Sequence, residues 1–151
     1  MPPVLPVKVG SNAVNPLLMT SISFGDAVRR SFHKDPRYQP AAYELVRDAL
    51  HVAAKKFRHE DAEDQHVSGQ ELLEGFRQHV LSEYGPMSNI LLDQWGLQCG
   101  EDVGNIVYNL IEVGYFGKND GDSITDFAGG YVFKTAFDEP FLPTSQRQAV
   151  G

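Results

Sequence analysis

Residues 41–57, AAYELVRDALHVAAKKF, carry Tyr43, Val46, Ala49, Leu50, Ala53 and Phe57 at intervals of three and four. That spacing gathers them on one side of a helix and leaves Glu44, Arg47, Asp48, Lys55 and Lys56 mostly on the others. A helix with a broad apolar side draws most of its stability from whatever covers that side. The chain supplies cover from two further segments. Residues 69–84 bring Leu72, Leu73, Phe76, Val80 and Tyr84, and residues 100–116 bring Val103, Ile106, Val107, Leu110 and Ile111. Three mutually complementary helices predict a mainly α fold.

Local signals set the ends of these helices. Ser68 and Glu71 have the spacing of a capping box, in which the hydroxyl accepts from a backbone N–H three residues on and the carboxylate reaches back. Val67 and Leu72 flank it as a hydrophobic staple. Gly85-Pro86 stops the same helix. Gly75 lies inside it at a cost of about 1 kcal/mol relative to alanine, which predicts a close helix contact there. Glu101 and Asp102 complement the dipole of the 100–116 helix, and Gly114 is its expected stop.

The remaining elements follow from shorter patterns. Ser23 caps a helix expected to run to Phe32, with Phe24, Ala27, Val28 and Phe32 turned inward, and Pro36 and Pro40 break it. MSNILLDQWGL, residues 87–97, reads as a short helix with Ile90, Leu91 and Trp95 as core candidates. YVFKTAF, residues 131–137, alternates Tyr131, Phe133, Thr135 and Phe137 and predicts a strand of a small β-hairpin. Residues 1–20, with Pro2, Pro3, Pro6 and Pro16 and no periodicity, read as a flexible leader, and 143–151 as a flexible tail. Residues 21–142 form the single expected α-rich domain.

A chain of 151 residues suits one domain with a real core. Its single cysteine, Cys99, excludes an internal disulfide framework and a Cys-rich zinc site. No apolar run approaches the length of a membrane span, and the N-terminus lacks a basic start followed by an apolar stretch. The cytoplasm is the expected compartment.

Net charge is −7 and unevenly spread. Residues 1–67 hold nine Lys/Arg against eight Asp/Glu, whereas residues 68–151 hold four against twelve. The second half therefore has no broad cationic face to offer to phosphates.

Two resemblances add to this reading. The helices of residues 68–116, the ending NLIEVGYF and the turn-rich KNDGD followed by GYVF resemble a winged-helix domain over residues 68–137, with two N-terminal helices packed on its three-helix core. More specifically, DPRYQPAAYELVRDAL, HVSGQELLEGFRQHVLSEYGPM and DVGNIVYNLIEVGYF resemble a conserved hypothetical bacterial family of planctomycete and verrucomicrobial lineages, over roughly residues 24–142. That resemblance implies no activity. EDAEDQ, residues 60–65, reads as an extra loop relative to the family.

Several sites compete on chemistry. His59, Asp61, Asp64 and His66 offer nitrogen and oxygen donors suited to zinc or another divalent ion, the basis of a metal-dependent enzyme reading for stretch 59–66. They crowd a polar segment with only Ala62 as an apolar residue between Phe57 and Val67, so a solvated linker is the preferred reading. KNDGDSITD does not fit a calcium loop, since placing Gly121 sixth puts Phe116 first and Phe127 at the bidentate position. As a recognition helix, residues 100–116 offer Asn105, Tyr108 and Asn109 but no Lys or Arg. Nucleic-acid contacts would fall instead to Arg29, Arg30, Lys34, Arg37, Arg47, Lys55, Lys56 and Arg58.

Catalytic parts are sparse. Cys99 lacks a local nucleophile signature, Glu71 of the Glu71–Glu74 carboxylate pair already has a capping role, and phosphate-binding and nucleophile-elbow motifs are missing. No cofactor is expected. The aromatic, acidic FDEPFLP, residues 137–143, is expected to fold back on the core or to make a dimer or partner contact. The resulting expectation is a non-catalytic protein-interaction module with a protein partner or self-association, and a nucleic-acid-associated regulator as the alternative.

Overall fold

The computed structural model describes residues 4–5, 22–58, 67–117, 127–128 and 132–141, with the backbone alone at 4, 5 and 134. Its helices are α1 (Phe24–Lys34), α2 (Pro40–Phe57), α3 (Gly69–Tyr84), α4 (Ser88–Gln94), α5 (Gly100–Glu112) and α6 (Phe133–Phe137). Tight 3-10 turns occupy Gly85–Met87 and Glu139–Phe141. Two short strands, β1 (Val4–Leu5) and β2 (Val67–Ser68), pair antiparallel, with Val4 opposite Ser68 and Leu5 opposite Val67. The protein is mainly helical, as the apolar periodicity predicts.

The α2–α3 pair is the centre of the fold. Ala42, Tyr43, Leu45, Val46, Ala49, Leu50 and Ala53 of α2 and Leu72, Leu73, Phe76 and Val80 of α3 are all buried. Gly75 lets the two backbones meet: a Cβ there would stand 2.8 Å from the Ala49 carbonyl oxygen and 2.8 Å from the Ala53 Cβ. α5 completes the core with Val103, Ile106, Val107 and Leu110. On the same helix Gly104 seats the buried Phe127 ring, whose Cδ2 would lie 2.7 Å from an added Cβ.

The helix ends follow the local signals. Ser23 accepts from the Asp26 N–H at 3.1 Å to start α1. Pro40 opens α2 at a position where its missing N–H has no partner to lose. α5 ends in a Schellman arrangement around Gly114, whose φ is 88°. There the Tyr115 N–H donates to the Leu110 carbonyl at 2.9 Å and the Gly114 N–H to that of Ile111 at 3.0 Å.

Three sequence expectations are corrected. The strand expected over residues 131–137 is overturned where the segment is described: Phe133–Phe137 is helical. Residues two apart in a strand and four apart in a helix share a face, so Phe133 and Phe137 satisfy both readings. Thr135 decides between them, because a strand would bury it with the phenylalanines and it is exposed. Both rings are buried against Phe76, at centroid distances of 5.9 and 6.2 Å. In α4 the core residue is Leu92, joined by Leu97, while Ile90 is exposed. The seven-residue helix turns Ser88 and Leu92 inward, and the Ser88 hydroxyl donates to the Gly85 carbonyl at 2.6 Å. In α1, Ala27, Val28 and Ser31 are buried, whereas Phe24 and Phe32 are only half-buried.

The turn expected at 119–122, the remainder of the leader and the tail lie outside the described residues. No helix among the described residues is long and apolar enough to cross a membrane.

Candidate functional site

The quartet Val67, Ser68, Glu71 and Leu72 builds the start of α3. The Ser68 Oγ accepts from the Glu71 N–H at 3.1 Å, and Glu71 Oε1 accepts from the Ser68 N–H at 2.8 Å. Val67 and Leu72 are fully buried beside this cap. Glu71 also receives both terminal nitrogens of Arg58, at 2.8 and 3.1 Å, so the end of α2 is tied to the start of α3. The metal candidates His59, Asp61, Asp64 and His66 lie outside the described residues. Among the described residues no group of three or more His, Cys, Asp or Glu side chains is placed to hold a metal ion.

α5 carries a polar edge next to its apolar one. Asp102, Asn105, Asn109 and Glu112 recur at helical spacing and meet the corner between α1 and α2. The buried Tyr38 hydroxyl donates to Asp102 Oδ1 at 2.6 Å and accepts from Asn105 Nδ2 at 2.9 Å. Asn109 Nδ2 donates to Asp35 Oδ2 at 2.9 Å and to the Tyr43 hydroxyl at 3.0 Å. Lys34 pairs with Glu112. Asp102 also caps its own helix, accepting from the backbone N–H of Gln98 at 2.8 Å and of Cys99 at 3.2 Å.

Electrostatics follow from this geometry. Arg37 grips Asp35 with Nε and Nη2 at 2.8 and 2.9 Å and holds its carboxyl well below the usual range, with Asn109 adding to the effect. Burial pushes the Tyr38 hydroxyl well above the ordinary tyrosine range, and its bond to Asp102 pushes the same way. The seam is therefore a fixed set of ionised and neutral partners. It also uses up Asn105 and Asn109, the side chains that a recognition helix would turn toward bases.

The basic residues are similarly engaged. Arg29 pairs with Asp26 at 2.7 Å, Arg37 with Asp35, Arg58 with Glu71 and Lys34 with Glu112. Lys56 stands 3.9 Å from Glu74, and Arg47 stands 3.6 Å from Asp48 with its guanidinium 4.3 Å above the Phe24 ring centre. Arg30 and Lys55 are exposed with no carboxylate partner among the described residues.

The remaining feature is concave. Phe24, Gly25, Val28, Arg29 and Phe32 of α1 and Pro40 and Glu44 of α2 line an open groove of about 370 Å³. Its walls are largely apolar, with Arg29 and Glu44 as the charged lining residues. Phe24, Val28 and Phe32 lie four residues apart and so run along one side of α1. Sequence reasoning assigned these rings to the core. α1 meets both α2 and α5, yet Phe24 and Phe32 stay half-buried where they line the groove, which their residue type alone does not signal.

Cys99 and Glu74 are each biased by their surroundings. Burial pushes the Cys99 thiol up, and the Asp102 carboxylate pushes the same way against the opposing backbone hydrogen bond of that residue, which disfavours the thiolate. Arg77 binds Glu74 at 2.6 and 2.9 Å and lowers its proton affinity, which unsuits it to donate a proton. Neither a scan against protein-family models nor searches of curated proteins and of solved structures find a match to this chain.

Proposed function

We propose that this chain is a non-catalytic protein-interaction module whose docking place is the α1–α2 groove, expected to work in the cytoplasm. The carrying observation is the groove itself: an open apolar channel with half-exposed phenylalanines, beside a polar seam whose side chains among the described residues are partnered within the chain. Such channels accept apolar side chains presented by another protein. The order α3, α4, α5 and the glycine-aromatic ending at Gly114, Tyr115 and Phe116 support a winged-helix-like core beneath it. Membership of the planctomycete and verrucomicrobial family is part of the same proposal and rests on the three motifs quoted above.

The nucleic-acid alternative retains Arg30 and Lys55 as its exposed, unpaired cations among the described residues. Two cations neutralise too little phosphate charge to hold a duplex at physiological salt. The test is capture from native cells after nuclease treatment, using the wild type and Gly25→Glu. Gly25 lines the groove, and a Cβ added there meets nothing within 4 Å. A protein retained by the wild type and lost with Gly25→Glu is the expected result. A partner held equally by both, or one released by nuclease, overturns the proposal.

A further inference from the structure

We propose that the exposed face of α4, with the Glu139–Phe141 turn beside it, docks a basic amphipathic segment of another protein. This face shares no residue with the α1–α2 groove and does not depend on how the groove is used. Among the described residues, the large apolar side chains left well exposed are Met87 (51%), Ile90 (56%), Val132 (67%) and Phe141 (43%). All four belong to α4, to the turn before it, or to the segment around α6. Asn89 on α4 donates to Asp138 Oδ2 at 3.0 Å, which holds the 3-10 turn carrying Phe141 beside α4. Exposed apolar side chains collected in one region mark an interaction surface, whereas single scattered ones do not.

Charge names the occupant. Asp26, Asp35, Glu71 and Glu74 are each gripped by an arginine. The acids around α4 have no such partner, because residues 78–117 contain no Lys or Arg. Among the described residues Glu83, Asp93 and Asp138 form no ion pair. Asp93 and Asp138 accept from the side-chain amides of Gln98 and Asn89, at 3.4 and 3.0 Å, and an amide leaves the carboxylate charge in place. Residues 83–94 and 132–141 together hold four acids, Glu139 included, against the single base Lys134. An apolar face fringed by unneutralised carboxylates repels nucleic acid and anionic lipid. It also opposes a second copy docking through the same face, since like charges would meet. What fits is a segment whose apolar side chains are flanked by Lys or Arg.

The probe is a labelled synthetic helix of leucine and lysine, its leucines at intervals of three and four, titrated by fluorescence anisotropy. A twin carries glutamate in place of lysine on the same leucine framework. The leucine–lysine helix should bind the wild type at micromolar protein, and the twin at least about tenfold more weakly. Ile90→Lys changes a side chain that is 56% exposed and should weaken binding at least about tenfold, with Met87→Lys as a second variant on the same face. Glu83→Gln combined with Asp93→Asn keeps the apolar residues, removes two charges and should flatten the salt dependence of binding. Gly25→Glu, in the groove, should bind the helix as the wild type does. Circular dichroism verifies the fold of each variant.

No binding up to submillimolar protein, or equal binding of the twin, overturns the inference. So does undiminished binding by Ile90→Lys and Met87→Lys, or a matching loss with Gly25→Glu. Two further measurements address the other occupants. A wild type that self-associates in sedimentation velocity, and ceases to with Ile90→Lys, gives the face to a second copy. Phosphatidylcholine vesicles that retain the wild type but not Ile90→Lys give it to lipid. Either result overturns the inference, and neither touches the reading of the groove, which Gly25→Glu tests separately.

Discussion

Alanine in an ordinary helix interior is favoured over glycine by about 1 kcal/mol, but at Gly75 the expectation reverses. The added methyl would stand 2.8 Å from the Ala49 carbonyl oxygen, and backbone cannot yield as a side-chain tip does. Gly75→Ala should destabilise by about 1–3 kcal/mol in denaturant titration, and a stabilised variant would refute the close contact. Tyr38→Phe removes the partner of both Asp102 and Asn105 at a buried site and should cost about 1–3 kcal/mol. Asp35 supplies the pH dependence. Its folded-state affinity for protons lies below that of an unfolded aspartate, so its contribution is present above the ordinary carboxylate range and is lost as pH falls through it. The Arg37 side chain is 62% exposed, which screens the pair and keeps the gain small. The melting temperature of Asp35→Asn should accordingly fall less than that of the wild type between about pH 5 and about pH 3.

At the scale of elements, local chemistry was the most readable part of the sequence. Ser68 and Glu71 both find their expected partners because a capping box needs only four consecutive residues. Ser68→Ala should cost about 1 kcal/mol, measured by thermal or denaturant unfolding. α6 shows where local reading runs out. Alternation over seven residues cannot separate a strand from a helix when the apolar residues also stand four apart, and tertiary contact with Phe76 decides it. Thr135→Glu separates the readings. On the exposed side of a helix it should change stability by less than about 0.5 kcal/mol, whereas a buried strand position would lose several-fold more. Ile90 illustrates the same limit, since a seven-residue helix has too few turns for its apolar side to be fixed by periodicity.

At the scale of the molecule, the α2–α3–α5 core was legible and the seam around it was not. The spacing of Asp102, Asn105, Asn109 and Glu112 is as periodic as that of the apolar stripe. A polar stripe, however, is equally consistent with solvent, a nucleic acid or another part of the chain. Only the fold brings Lys34, Asp35, Tyr38 and Tyr43 against it. The groove was hidden for the converse reason: its phenylalanines read as core by type, and their partial exposure depends on how α1 lies on α2. With most candidate cations paired to carboxylates, a fluorescence anisotropy titration with duplex DNA at low salt should show no binding at roughly tens of micromolar protein.

The seam also dictates an order of events during synthesis. Its partners are separated along the chain by 64 residues for Tyr38 and Asp102, 74 for Asp35 and Asn109, and 78 for Lys34 and Glu112. A ribosome delivers the α1–α2 corner long before α5 has left the exit tunnel. Until then the Tyr38 hydroxyl can be satisfied only by water, and Asp35 has Arg37 but not yet Asn109. The last third of the chain therefore acts as the clasp of the fold, and a polypeptide arrested before α5 emerges would hold α1 to α4 with their polar seam still open.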